Sequence, residues 1–164
     1  MEITIAKGTD LEALLALTRD CVAALRDQGI DQWDEIYPGR ELLARDLSAG
    51  TVSLLRADGV LVGTITLDAN IDPLWQGMDW SRPDAGAAAI HRVMVHPSRQ
   101  GQGLARRLMS HAEWQARENG SHSIRLDAFT ANPASLRLYD ALGYRRTGTA
   151  SMRKGDFICF EKTL

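Results

Sequence analysis

One segment determines how the rest of the chain is read: residues 90–109, IHRVMVHPSRQGQGLARRLM. Its first six residues are mostly apolar and β-prone, a proline ends them, and Gly101 and Gly103 follow. From Leu104 to Ala112 apolar side chains recur every four residues, which is the spacing of one helix face. The segment therefore predicts a strand, a glycine loop and a helix.

The loop and the start of this helix have the properties of an anion site. Glycines let the backbone approach a ligand closely, and the first N–H groups of a helix lie at the positive end of its dipole. No Asp or Glu occurs between Ala85 and Ala112, although the whole chain has a net charge of −2. The same interval holds four arginines, Arg92, Arg99, Arg106 and Arg107. The segment therefore predicts a ligand that carries phosphate.

The spacing argues against two common phosphate-binding loops. A Walker loop ends in Gly-Lys-Ser/Thr, whereas Leu104 and Ala105 follow Gly103 here. A dinucleotide fingerprint that began at Gly101 would need a small residue in place of Arg106. The remaining hexapeptide, QGQGLA at residues 100–105, resembles the Q/R-x-x-G-x-G/A loop with which the GNAT superfamily of N-acetyltransferases binds the pyrophosphate of acetyl-coenzyme A.

A second segment, NPASLRLYDALGY at residues 132–144, is similar to a later motif of that superfamily, in which an Asn opens a helix that carries a Tyr. Asn132 suits a helix N-cap, Pro133 the first helical position and Gly143 the residue after the helix. Tyr139 follows Asn132 by almost two turns, so both point to one side of the helix. Together the two motifs identify residues 1–164 as a single GNAT acetyltransferase domain.

The pattern along the chain predicts an α/β fold. The 164 residues fit one domain, and 45% hydrophobic and 24% charged residues are ordinary values for a globular protein. Periodicity and turn signals give the order β-α-α-β-β-β-α-β-α-β-β, with a capping box from Thr9 to Glu12 at the first helix. Residues 68–86 have no period. The resemblance implies a GNAT-type mixed central sheet with flanking helices, whose two central parallel strands, ending at Val95 and Phe129, splay apart.

The resemblance also implies acetyl-coenzyme A as the acyl donor. It assigns the pyrophosphate to backbone amides of the glycine loop, and pantetheine to the main chain of the preceding strand. The residues expected to bind the donor are Val93, Val95, Arg99, Gln100, Gly101, Gln102, Gly103, Leu104, Ala105, Arg106, Asn132 and Tyr139. No metal is expected, because the two cysteines lie far apart and form no ligand motif.

Two residues are expected to take part in catalysis. In the resembled family the Tyr of the second motif, here Tyr139, donates a proton to the departing thiolate, and a phenol with a pKa of about 10 keeps that proton at neutral pH. The base of the family, where there is one, lies on the strand that holds His91, and an imidazole can accept the proton of an amine. Because faces alternate along a strand, His91 should share one side with Val93 and Val95. Each residue also has a simpler interpretation as a buried packing residue.

The acceptor is expected to be a small or peptidic primary amine with positive charge. Residues 28–39 hold aromatic and acidic side chains and no Lys or Arg, and this composition favours a cation. In the resembled fold this segment and the loop before the strand that ends at Val95, which holds Trp75 and Trp80, wall the acceptor pocket. Trp33, Glu35 and Tyr37 are predicted to bind the acceptor. The alternative is that the aromatic residues cap the core and the acidic residues are solvated.

The predicted function is transfer of the acetyl group to the amine by direct attack in a ternary complex. Two other functions are alternatives. One rival is a non-catalytic module of this fold that senses acyl-coenzyme A, and another is an unrelated phosphate-binding module. Nucleic acid is not expected as a partner, because the chain has no extended basic stripe. The absence of a signal or a long apolar run predicts a cytoplasmic protein with no membrane partner. A homodimer is left open.

Overall fold

Helices and strands follow each other in the predicted order. The computed structural model describes residues 1–164. Its elements are β1 (Glu2–Ile5), α1 (Leu11–Asp27), α2 (Arg40–Ala49), β2 (Val52–Ala57), β3 (Val60–Asp68), β4 (Ala87–Val95), α3 (Leu104–Glu118), β5 (Ser123–Phe129), α4 (Pro133–Ala141), β6 (Arg145–Met152) and β7 (Gly155–Thr163). Three short 3₁₀ turns occupy Gly8–Asp10, Pro73–Trp75 and Pro97–Arg99. The predicted α/β class is therefore confirmed.

The seven strands form one mixed sheet in the order β1-β2-β3-β4-β5-β7-β6. The parallel pair is β4 and β5, and their ladder joins Ala87–Ala89 to Ser123–Arg125. This ladder covers only the first part of each strand, since β4 continues to Val95 and β5 to Phe129. In this ladder the two strands run parallel, as the resemblance implies.

Contacts between Cα atoms divide the chain into two units, which are described separately. Unit 1 comprises residues 1–67 and 92–110. Its α1 buries Leu14, Leu17, Thr18 and Cys21, at the i, i+3, i+4, i+7 spacing of one helix face. This face packs with Leu43 and Leu47 of α2, Leu54 of β2 and Met94 of β4 in one apolar cluster.

Unit 2 comprises residues 68–91 and 111–164. Here β5 pairs with β7 along its whole length, which brings Arg125 opposite Glu161. A small apolar cluster joins Trp75 of the aperiodic segment to Ala89, Ala150 and Cys159. The segment 69–86, called the connector below, thus contributes a side chain to the core, since Trp75 is only 1% exposed.

Two local expectations were wrong. The start of α1 has no Thr9–Glu12 capping box; instead the backbone N–H of Lys7 donates to the carboxylate of Asp10 at 2.8 Å, and the turn Gly8–Asp10 precedes the helix. The extended backbone of β4 is interrupted at Arg92, whose φ is +50°. The argument that alternation places His91, Val93 and Val95 on one side therefore fails, because it needs an unbroken strand. None of the helices has the length and apolar character needed to cross a membrane.

Candidate functional site

The glycine loop lies between β4 and α3 in unit 1. After β4, the N–H of Ser98 donates to the ring of His96 at 3.2 Å and the N–H of Arg99 donates to the carbonyl of His96 at 2.8 Å. Gly101 and Gly103 then adopt φ values of +74° and +77°, a region that favours glycine. This turn connects the end of β4 to the start of α3 within a few residues.

The start of α3 offers exposed backbone donors. Residues 100–103 are exposed, and the N–H of Arg107 makes an early helical bond to the carbonyl of Gly103 at 3.1 Å. The N–H groups before it have no helical carbonyl to bind. Arg99 and Arg106 are exposed beside them in the sequence. The loop that the sequence predicts as an anion site therefore has the required backbone, and binding of the donor by residues 100–106 stays a prediction.

Of the two strand residues predicted to contact pantetheine, Val95 already has partners for its carbonyl oxygen. The side-chain amide of Gln100 donates to it at 3.2 Å, and the thiol of Cys21 lies 3.6 Å away. No sequence pattern predicts the contact with Cys21, because this residue lies on α1, far from Val95 in the chain. The roles of Val93 and Val95 remain predictions.

His91 lies in unit 2 between a carboxylate and an indole. Its Nε2 is 3.3 Å from Oδ1 of Asp68, and its ring stacks on Trp75 with centroids 5.7 Å apart and planes 16° apart. The indole Nε1 of Trp75 donates to Oδ2 of Asp127 at 2.9 Å. Four residues from β3, the connector, β4 and β5 are thereby linked in one chain of contacts. Sequence reasoning missed Asp68 and Asp127, which carry no motif.

Tyr139 lies on α4, and the start of that helix is built as predicted. Asn132 caps the helix by accepting a hydrogen bond from the N–H of Ser135 at 3.2 Å, and Pro133 follows it. Tyr139 is 6% exposed, with its ring against Tyr144 and edge-on to Phe160. Burial, and secondarily the charge of Asp127, raises the pKa of the Tyr139 phenol above its usual value. The phenol therefore stays protonated at neutral pH, as a proton donor must.

The connector is fixed to β5 by Arg125, a residue that the sequence did not single out. Its guanidinium is fully buried, binds the carboxylate of Asp84 at 2.5 Å and the carbonyl of Arg82 at 2.6 Å, and lies 4.3 Å from the ring centre of Trp80. Ser81 donates to Glu161 through its N–H at 2.8 Å. The connector is thus an anchored part of unit 2.

The three predicted acceptor residues have separate surroundings in unit 1. Trp33 is 9% exposed and belongs to the apolar cluster. Glu35 is exposed, and Arg26 donates to both of its oxygens at 2.8 and 3.2 Å, which lowers the pKa of the Glu35 carboxyl. The hydroxyl of Tyr37 accepts from Nη1 of Arg92 at 3.2 Å, and its side chain is partly exposed. Acceptor binding by these residues stays a prediction.

Comparisons with known proteins agree with this architecture. Residues 14–144 match the acetyltransferase (GNAT) family. The chain is 34% identical to the L-methionine sulfoximine/L-methionine sulfone acetyltransferase of Salmonella typhimurium, over 93% of this chain and 83% of that protein. It is 30% identical to the L-amino acid N-acyltransferase MnaT of Escherichia coli, over 88% of this chain and 79% of that protein.

Solved structures share the fold. A GNAT-family acetyltransferase from Streptococcus agalactiae superposes with a TM-score of 0.86 at 19% identity, covering 99% of this chain and 95% of that one. Fold, loop and relatives agree, and the chain belongs to the GNAT family of acetyltransferases. It is an acyltransferase.

Proposed function

We propose that this protein transfers the acetyl group of acetyl-coenzyme A to a primary amine by direct attack in a ternary complex. The backbone amides of residues 100–105 bind the pyrophosphate, with Arg99 and Arg106 adding positive charge and Val93 and Val95 offering main-chain groups to the pantetheine arm. Asn132 contributes to the same ligand from the start of α4. No metal takes part in this scheme.

Two side chains of unit 2 move the protons. His91 accepts a proton from the acceptor ammonium, which frees the nitrogen lone pair for attack on the thioester carbonyl. After the attack this nitrogen still carries one proton more than the amide, and it loses that proton to water. When the carbon–sulfur bond breaks, the phenol of Tyr139 gives its proton to the thiolate and regains one from water. The net products are an amide, the free thiol and one proton.

The cysteines favour direct attack over a covalent acyl-enzyme. Cys21 and Cys159 are both buried, and burial raises the pKa of each thiol to about 12. Since the thiolate is the nucleophile, neither side chain is activated near neutral pH.

The observation that carries the proposal is the protonated, buried phenol of Tyr139 on the helix capped by Asn132. A module that only senses acyl-coenzyme A has no use for a proton donor. The family assignment supplies the reaction class, and Tyr139 supplies the reason to expect turnover.

Amino acids and related amines are the acceptors that the relatives favour. By their names, one relative acylates L-amino acids and the other acetylates two methionine derivatives. The acidic and aromatic segment with Trp33, Glu35 and Tyr37 adds a preference for acceptors with net positive charge. We therefore expect a small amine of amino-acid type, and most readily a cationic one.

Thiol release tests the function directly. Acetyl-coenzyme A is incubated with the protein and a panel of neutral, cationic and anionic amino acids and simple amines, and product is identified by mass. Acetylated amine formed together with free thiol supports the proposal. Tight binding of acetyl-coenzyme A by calorimetry without thiol release from any amine would favour the sensing module instead.

A further inference from the structure

Two contacts hold the imidazole ring of His91, one on its face and one at Nε2. Trp75 stacks on one face of the ring, and Nε2 faces the carboxylate of Asp68 at 3.3 Å. The side chains of His91 and Asp68 are only 16% and 10% exposed, so water competes weakly for this contact. The ring has therefore little freedom to rotate or to exchange its two nitrogens.

We propose that Asp68 is a positioning residue that holds the proton of neutral His91 on Nε2, so that Nδ1 is the atom that accepts the proton of the acceptor amine. An ionised carboxylate only accepts hydrogen bonds, and a neutral imidazole has one donor nitrogen and one acceptor nitrogen. The nitrogen that faces Asp68 must then be the donor. This inference rests on the proposed function of His91 as the base.

The surroundings of Asp68 keep its carboxylate charged. Burial acts to raise the pKa of Asp68, but hydrogen bonds from His91 and from the N–H of Asn70 act in the opposite direction, and the pKa of this carboxyl lies below its usual value. Oδ1 accepts from that N–H at 2.8 Å. At neutral pH Asp68 is therefore an acceptor for His91 and has no proton of its own to offer.

The same arrangement suits the charged state that follows proton transfer. One N–H bond of the ammonium breaks, and a bond from that proton to Nδ1 of His91 forms. The Nε2–H group keeps its contact with Asp68, whose carboxylate offsets the new positive charge. The face of Trp75 also attracts an imidazolium. Asp127 keeps the indole in place through the 2.9 Å hydrogen bond from Nε1. The proton then passes from Nδ1 to water.

Nitrogen-15 NMR of the histidine rings measures the tautomer without turnover. The spectrum is recorded on the full chain with no acyl donor, for the parent, for Asp68→Asn and for Asp58→Asn. Asp58→Asn is a matched control, since it makes the same change at an exposed hairpin turn. We expect Nε2–H in the parent and the control, and a mixture or the Nδ1–H form in Asp68→Asn. Nδ1–H in the parent, or an unchanged tautomer in Asp68→Asn, would overturn the proposal.

A kinetic arm tests whether the tautomer serves catalysis. Asp68→Asn should lower kcat/KM at least about 10-fold, because part of the population presents the wrong nitrogen. A kcat/KM equal to that of the parent would overturn the role of Asp68 in catalysis.

Failure of the proposed function gives a different result. If no amine is acetylated, or if His91→Ala has the pH profile of the parent, His91 is not the base. The NMR outcome is independent of both results, because it reports only which nitrogen of His91 carries the proton. The tautomer and the reaction are thus judged separately.

Discussion

Arg125 on β5 and Glu161 on β7 face each other across neighbouring strands, with Nε and Oε1 3.5 Å apart and neither side chain more than 2% exposed. Both residues also bind the connector, Arg125 through Asp84 and Arg82, and Glu161 through Ser81. This buried pair therefore anchors the connector to β5 and β7. The connector in turn carries Trp75, which stacks on His91.

Removing Arg125 should destabilise the protein strongly. Arg125→Met leaves the buried carboxylate of Glu161 with only the half-exposed Arg145 of β6, 3.5 Å away, as a cationic partner. It also releases Asp84 and Trp80, and loss of one partner of a buried pair costs about 3–5 kcal/mol. Urea unfolding followed by circular dichroism measures the change. Arg146→Met is the control, since Arg146 forms an exposed pair with Asp140 and should change the midpoint little. Equal midpoints for the two variants would show that the buried pair does not anchor this unit.

The glycine loop gives a prediction about donor binding. A Cβ at Gly103 would contact no atom within 4 Å, but the φ of +77° disfavours any other residue. Gly103→Ala should therefore distort the loop and place a methyl group where the phosphates approach, weakening acetyl-coenzyme A binding by about 10-fold or more. Isothermal titration calorimetry gives the dissociation constants.

Gly29→Ala separates backbone strain from loss of the site. Gly29 has a φ of +73° and equally open space at its Cβ position, yet it ends α1 away from the loop in sequence. Both variants should lose similar stability, about 1–2 kcal/mol for a left-handed residue, and only Gly103→Ala should lose affinity. If the two bind acetyl-coenzyme A equally well, the donor does not use this loop.

Sequence reasoning succeeded where structure is decided locally. The hydrophobic spacing of α3 and the Asn132 cap each depend on residues within a few positions, and each is present. It failed for the connector, because Arg125 lies 41 residues from Asp84, and Ser81 lies 80 residues from Glu161. No local pattern announces such pairs. The composition of residues 28–39 likewise does not show that Arg26, on α1 just outside this segment, pairs with Glu35.

The hydroxyl of Tyr139 should be required for turnover and dispensable for donor binding. Tyr139→Phe keeps the ring against Tyr144 and Phe160 and removes only the proton donor, so kcat should fall by about 10- to 10⁴-fold with little change in affinity for acetyl-coenzyme A. Because the pKa of Tyr139 is raised, the parent should show no rate loss from its ionisation up to about pH 10. Steady-state rates between pH 6 and pH 10, roughly the range between the His and Tyr reference values, measure both effects.

Tyr144→Phe is the matched control for that variant, since Tyr144 is also buried and its ring touches Tyr139. Its kcat should stay near that of the parent. Parallel losses in both variants would indicate a packing effect, and a parental kcat in Tyr139→Phe would assign the proton to another donor.

The acceptor segment gives the last prediction. Of the two aromatic rings in this segment, that of Tyr37 is exposed and that of Trp33 is buried in the core. Glu35 places a carboxylate at the surface. If a cationic amine binds there, its KM should rise with salt, rise in Tyr37→Ala, and rise less in Glu35→Gln, because Arg26 already offsets part of that charge. The kcat should change little, since these residues bind substrate without touching the reacting bond. Glu118→Gln, an exposed change of the same charge on α3, should leave KM unchanged. A neutral or anionic amino acid as the best acceptor, with a KM that none of the three substitutions moves, would place acceptor binding elsewhere and leave acetyl transfer itself intact.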